Sequence, residues 1–379
     1  GGKIWRIPVD GSDPVPVPFR VRAQLAVGPE VDFDYPVEDT ETFTVRQIRD
    51  AVPSPDGGRL AFVALDDLYV MDYPGGEPRV LDDGGGRTQA QPTWSPDGRW
   101  IAYVTWGTDG GHIVKTRADG LGDPQRLTSL SAQYEQVAWS SDDRIVALRD
   151  PARAFQETAG SGFGGAESDI VWIPAEGGAV TLIAPAEGRE SPHFVDGVHR
   201  IYLHDRANGL VSIRWDGTDE RAHVEIVGGT RPGQQQPTRA SLIEMAPRGD
   251  RALAALDNDL YVVTVPMVGG ETPTISIANM NNTAFPARKL TEIGGQFPTW
   301  NADGRQVQFS IGNAHFVYDL DTAEAYEDSV ALIERAEADR DEEDEESNGD
   351  EENQGYEPTE TRVLIQARRD LPQGVAVLR

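Results

Sequence analysis

Histidine, aspartate and serine are the residues of this chain that could do chemistry, and their spacing narrows what that chemistry would be. The six histidines are His112, His193, His199, His204, His223 and His315, and none forms a His-x-His pair. The densest ligand-type group is His199, His204 and Asp205. Between them Arg200-Ile201-Tyr202-Leu203 reads as a strand, which sends positions 199 and 204 to opposite faces, so a shared metal ion is not expected. Ser161 lies in Gly160-Ser161-Gly162-Phe163-Gly164, the nearest approach to a Gly-x-Ser-x-Gly nucleophile elbow. That elbow needs a strand before it and a helix after it. Here it lies in a Gly-rich loop, and a lid or linker is the expectation.

Aspartates recur at Asp56, Asp97, Asp142, Asp196 and Asp303, each in a short turn. One carboxylate per turn falls far short of the six to eight oxygens that calcium takes, so side-chain capping of the turn is the better account. Trp94, Trp139 and Trp300 occupy equivalent places just before three of these turns and read as packing core. Cysteine is absent, which removes disulfides and thiolate metal sites. No catalytic, cofactor-binding or metal-binding residue is therefore assigned within the chain.

The turns belong to a repeat that must position everything else. Val52-Pro53-Ser54-Pro55-Asp56-Gly57 is followed by an apolar stretch, Arg59-Leu60-Ala61-Phe62-Val63, and then by Asp67-Leu68-Tyr69-Val70. Thr93-Trp94-Ser95-Pro96-Asp97-Gly98 and Trp100-Ile101-Ala102-Tyr103-Val104 repeat that order. Turn centres at Asp56, Asp97, Asp142, Asp196, Arg248 and Asp303 are 41, 45, 54, 52 and 55 residues apart. Four short strands and their turns need about 40–45 residues, the size of a propeller blade. Third strands recur at Asp169-Ile170-Val171-Trp172-Ile173, Asp259-Leu260-Tyr261-Val262-Val263 and His315-Phe316-Val317-Tyr318, rich in β-branched and aromatic residues. The pattern predicts an all-β propeller of about six four-stranded blades over residues 1–322. Lys3-Ile4-Trp5-Arg6-Ile7 has third-strand character with no first two strands before it, and residues 1–20 are expected to close the ring by joining strands near 296–320.

Two segments interrupt the repeat. Residues 151–168 form the Gly-rich loop of the third blade. Residues 323–360 open with a helix-capable stretch, Ala323 to Ala338, and pass into Asp339-Arg340-Asp341-Glu342-Glu343-Asp344-Glu345-Glu346. Residues 321–360 carry 18 acidic residues against two arginines, too charged and too poor in apolar side chains to pack, so an acidic and largely disordered insertion is predicted. Residues 361–379 then supply a returning strand and the start of a linker. The formal net charge of −29 argues against nucleic acid and anionic membrane as partners. No apolar run approaches the length of a membrane-spanning helix, and no signal sequence opens the chain. The opening Gly1-Gly2-Lys3-Ile4-Trp5, without Met, is expected of a processed product or a piece of a longer protein. Loops 151–168 and 228–240 are the expected places for gating or docking.

The order of elements, with Gly-Gly-Lys-Ile-Trp-Arg at the start and Leu371-Pro372-Gln373-Gly374-Val375-Ala376-Val377-Leu378-Arg379 at the end, resembles the propeller portion of large bacterial amidohydrolase-family proteins. In that family TolB-type blades precede a metal-dependent hydrolase domain. The resemblance implies a propeller that scaffolds or gates a hydrolase domain lying outside this chain, in a periplasmic or extracellular setting. It implies no cofactor in residues 1–379 and a divalent metal such as zinc in the domain beyond. The family's His-x-His pair, two further histidines and an aspartate have no counterpart among the six histidines here. The implied partners are that domain, another protein or a second copy of this chain. A stand-alone TolB-like periplasmic propeller that binds a protein is the competing expectation, and a propeller preceding a serine peptidase of the prolyl-oligopeptidase kind is a third.

Overall fold

A computed structural model describes residues 3–20, 22, 40–151, 168–266, 271–341 and 355–369. Two compact units divide the chain: residues 42–370, and the end segments 1–41 with 371–379. The larger unit carries six blades in chain order, each built on four antiparallel strands, together with one further two-stranded sheet. Blade 1 runs through Arg49–Pro53, Arg59–Ala64, Asp67–Asp72 and Arg79–Asp82. Blades 2 to 5 begin at Thr88–Trp94, Gln133–Trp139, Arg189–His193 and Leu242–Met245, and blade 6 at Gln296–Trp300. The turn after each of these first strands is glycine-dependent where the repeat is cleanest. Gly57, Gly98 and Gly304 sit at φ 72°, 67° and 72°, a region that costs other residues steric strain.

Apolar side chains on both faces of each blade meet those of its neighbours, so the core is divided into six clusters between blades. Tyr103 and Ile101 of blade 2 pack on Val63 and Leu68 of blade 1, for example, and Leu203 and Ile213 of blade 4 on Val146 and Leu148 of blade 3. Blades 4 and 5 are further tied by Thr274–Ser276. This segment leaves blade 5 after its third strand and lies parallel to Arg221–Val227, the outer strand of blade 4.

Residues 1–20 do not close the ring, contrary to expectation. The fourth strand of blade 6 is Thr359–Arg362, which pairs with Ala314–Asp319 after the chain has passed through the acidic insertion. The following residues then bind blade 1. Val363 and Ile365 enter its apolar cluster beside Val45 and Ile48, and Gln366–Arg368 pairs with Thr42–Thr44. An apolar alternation after residue 361 can satisfy both the blade and the closure, leaving no edge for the N-terminal piece to fill. That piece forms its own hairpin, Ile4–Arg6 with Val15–Val17. The helix-capable stretch is a helix, Leu320–Asp341. The helix thus takes up half of the 323–360 segment expected to be largely disordered; residues 342–354 of that segment lie outside the described residues, as do loop residues 152–167 and the ending 371–379.

Candidate functional site at the mouth of the central channel

The six first strands line the central channel, and five of them contain a β-bulge. Each bulge places one non-glycine residue in the left-handed region: Asp50, Gln91, Gln136, Ser191 and Phe297, with φ between 50° and 55°. All five lie four positions before the first residue of the turn that follows. Blade 5 keeps an unbroken register from Leu242 to Met245 and has no such residue. The bulges aim polar side chains from one blade at the backbone of the next. The Gln91 N–H donates to the Asp50 carboxylate at 3.0 Å, the Gln136 N–H to the Gln91 side-chain oxygen at 2.5 Å, and the Ser191 N–H to the Gln136 side-chain oxygen at 2.5 Å. Between blades 4 and 5 the Met245 N–H donates to His193 Nε2 at 2.9 Å. The other ring nitrogen of His193 lies 2.8 Å from the Ser191 carbonyl, which fixes it as the protonated one.

Two cavities open on either side of this belt. On the side of the turns, a cavity of about 750 Å³ is lined by residues from every blade, including Trp94, Trp139, Trp300 and Glu244. Burial pushes the Glu244 carboxyl up to about 7 and the His193 imidazole down to about 4. On the opposite side, a cavity of about 820 Å³ opens between blades 1, 2, 3 and 6. Its walls carry the rings of Phe43, Trp106, Tyr134 and Phe297 and the side chains of Asp50, Gln91, Gln133 and Glu135. Glu135 is 9% exposed, and its carboxylate accepts a hydrogen bond from the Gln133 amide. Burial, aided by the charge of Asp150, raises the Glu135 carboxyl to about 7. Burial raises Asp50 as well, against the Gln91 N–H and the Arg49 charge. Concave walls of rings with a few convergent polar groups are what a small-ligand site requires.

The residues singled out by sequence are dispersed. The strand after the blade 4 turn begins at Ile201, so His199 is in the turn region and not on the strand. It is exposed and 5.9 Å from the Trp215 ring, whereas His204 is 1% exposed and both its ring nitrogens lack a hydrogen-bond partner. Among the described residues no three His, Asp or Glu side chains come together in a way that could hold a metal ion. The turn aspartates accept from their own turns: Asp56 from the Ser54 hydroxyl at 2.6 Å and the Gly58 N–H at 3.1 Å, Asp97 from the Ser95 hydroxyl at 2.7 Å. Trp94 and Trp300 do more than pack. Their indole N–H groups donate to the Val52 and Glu244 carbonyls of the preceding blade, both at 3.1 Å. Loop 228–240 links blades 4 and 5; its base is pinned by the Gly228 N–H to the Thr238 carbonyl at 2.7 Å, and its tip, Arg231 to Pro237, is exposed. Ser161 lies outside the described residues.

Sequence reasoning missed two Ser–His contacts and the mouth cavity. Ser212 lies 2.7 Å from His223 Nε2 and Ser310 lies 3.3 Å from His315 Nδ1. The two serines are 0% and 1% exposed, so no substrate carbonyl can reach either hydroxyl. The signal for the mouth cavity was present in the sequence as polar Asp50, Gln91 and Gln136, each four positions before the turn that follows its first strand.

No family model matches the chain. A tricorn protease homologue of Streptomyces coelicolor is 38% identical over 96 residues, 24% of this chain and 8% of that protein. An uncharacterized protein of Agrobacterium fabrum is 30% identical over 106 residues, 27% of this chain and 36% of its own length. The chain thus spans well under two thirds of either curated relative. Among solved structures, a protein of Agrobacterium tumefaciens described as a TolB is 19% identical with a TM-score of 0.49, covering 72% of this chain and 89% of that one. The strand topology defines the class as an all-β, six-bladed propeller, as the repeat predicts.

Proposed function

We propose that this propeller is a non-catalytic module that scaffolds or gates a partner domain, and that the partner is a metal-dependent hydrolase of the amidohydrolase type lying outside residues 1–379. The observation that carries the docking role is the N-terminal hairpin. Ile4, Trp5, Ile7, Val9, Val15, Val17 and Phe19 are 42% to 110% exposed, an apolar density that a soluble surface does not leave uncovered. The resemblance at the two chain ends supports the hydrolase identity, and with it an exported, periplasmic or extracellular setting. The same resemblance assigns a divalent metal such as zinc to that domain.

The test compares residues 1–379 alone with the protein encoded by the whole reading frame, assayed for zinc-dependent, chelator-sensitive hydrolysis of amides and cyclic imides. Turnover is expected only from the longer protein. Robust turnover by residues 1–379 alone would overturn the reading. Trp5→Glu with Phe19→Glu should weaken the association with the partner domain while leaving propeller melting unchanged.

A further inference from the structure

The mouth cavity has a chemistry that the scaffold reading does not use. We infer that it binds a small organic cation, a primary ammonium on a partly flat body bearing amide or hydroxyl groups, with Glu135 as the counter-ion. The site stands whether or not a hydrolase domain adjoins the propeller.

Charge placement carries the argument. Glu135 is buried on a cavity wall, and among the described residues its only hydrogen-bond partner is the neutral Gln133 amide of its own strand. From the next strand of blade 3 it faces Asp150, which repels it, and from blade 1 the cavity adds Asp50 and Asp66. Arg149, on the neighbouring strand, is bound to Asp169 at 2.6 Å. The two guanidinium groups among the lining residues, Arg46 and Arg49, are exposed, and Arg49 lies over the Phe297 ring at 5.8 Å. A buried carboxylate without a cation is costly and escapes the cost by taking up a proton, which is why Glu135 is raised. An ammonium group delivered by a ligand supplies the missing partner. Asp66, Asp67, Asp82 and Asp83 at the edge of blade 1 add negative field, strong enough to raise the Asp67 carboxyl alongside its burial. An anionic ligand would meet Glu135, Asp50 and Asp66 on the cavity wall as like charges.

The cavity also fits the rest of such a ligand. Its volume of about 820 Å³ is in the range of small-molecule sites. The Trp106 and Phe297 rings offer flat apolar surface, and the glutamines offer amides for hydrogen bonding. Binding of an ammonium group returns Glu135 to its ionised form, so at pH 6, where the carboxyl is mostly protonated, binding releases most of a proton.

The probes are phenylalaninamide, its neutral N-acetyl derivative and the anion phenylpropionate, titrated calorimetrically into the 379-residue chain. One phenylalaninamide is expected to bind per chain. The acetylated probe should bind at least tenfold more weakly, and phenylpropionate should not bind measurably. At pH 6, where the amine of phenylalaninamide is already charged, the apparent enthalpy of its binding should change between phosphate and Bis-Tris buffers, reporting the released proton. Glu135→Gln should weaken binding at least tenfold and abolish that buffer dependence. Equal or tighter binding of either control, no saturable binding of the cation up to millimolar concentration, or unchanged binding by a folded Glu135→Gln protein would each overturn the proposal. Should Glu135→Gln fail to fold, the comparison of the three probes on the unaltered chain decides by itself.

Discussion

The backbone N–H of Gln91 donates to the Asp50 carboxylate at 3.0 Å, joining two blades through residues 41 positions apart. Both residues have left-handed backbone, and both are the extra residue of a β-bulge. The bond repeats from blade 2 to blade 3 and from blade 3 to blade 4, so the channel wall is cross-linked by side chains that the strand ladder does not need.

Asp50→Ala removes the acceptor and leaves a part-buried N–H unpaired. It should cost about 1–3 kcal/mol in urea denaturation, with added strain because alanine tolerates positive φ poorly. Asp50→Asn keeps an acceptor and a residue type that accepts the left-handed region. It should unfold within about 0.5 kcal/mol of the parent, because burial already disfavours the charge of Asp50. Equal losses for the two variants would show that the bond contributes nothing.

The tryptophans of the first strands give an internal comparison. Trp94 and Trp300 donate across blades, while the Trp139 indole N–H is buried without a partner. Replacing each by Phe removes similar volume, but only the first two lose a hydrogen bond. Trp300→Phe and Trp94→Phe should each cost about 1 kcal/mol more than Trp139→Phe, read as shifts in the urea midpoint.

The architecture was legible because the repeat encodes it locally: an apolar first strand, a turn that needs Asp and Gly, and a second and third strand of β-branched residues. Blade number and most strand positions follow from those signals alone. Ring closure was not legible, because Ile4-Trp5-Arg6 and Val363-Leu364-Ile365 carry the same strand-like alternation. Only pairing partners distant in sequence decide which of them meets blade 1. The candidate site was half legible. Asp50, Gln91 and Gln136 share a fixed offset from their turns, but the bulge that turns them toward the channel is a register shift without a composition of its own. Glu135 could not be found, since its significance lies in the lack of a cation around it.

Acid should weaken the fold through its histidines. Burial holds His193, His223 and His315 near 4, below the usual 6.5. Between these values the unfolded chain binds more protons than the folded one, so stability is present above pH 6.5 and is lost as the pH falls towards 4. The melting temperature should drop through that window. His193→Gln retains an acceptor for the Met245 N–H and should remove on the order of 2 kcal/mol of the acid loss. An acid limb unchanged in His193→Gln would exclude it as the titrating group.

Glu135 and Glu244 work in the opposite direction. Their carboxyls are raised in the fold to about 7, so here the folded chain binds more protons between about 4.5 and 7. Stability from these groups is full at the acid end of that window and falls as the pH rises through it. Glu135→Gln should therefore stabilise the protein at pH 8 by on the order of 1–2 kcal/mol and change little at pH 4.5. A gain independent of pH would point to packing and away from the buried charge.

The seam between the first and last blades is closed by the segment that follows the outer strand of blade 6. Ile365 is 8% exposed within the blade 1 cluster, and its carbonyl accepts the Val45 N–H at 2.9 Å, while the adjacent Leu364 is 64% exposed. Ile365→Ala should cost about 2–4 kcal/mol, because it empties a cavity at the seam between the first and last blades. Leu364→Ala should be within about 0.5 kcal/mol of the parent, as expected for a surface position. Ending the chain after Pro358 deletes the outer strand of blade 6 together with the 363–368 segment, exposing strand edges on both sides of the seam. Such a chain should lose cooperative melting or associate through the open edges. If residues 1–20 instead supplied the closing strand, the truncated chain would melt like the parent, and removing residues 1–20 would be the damaging change.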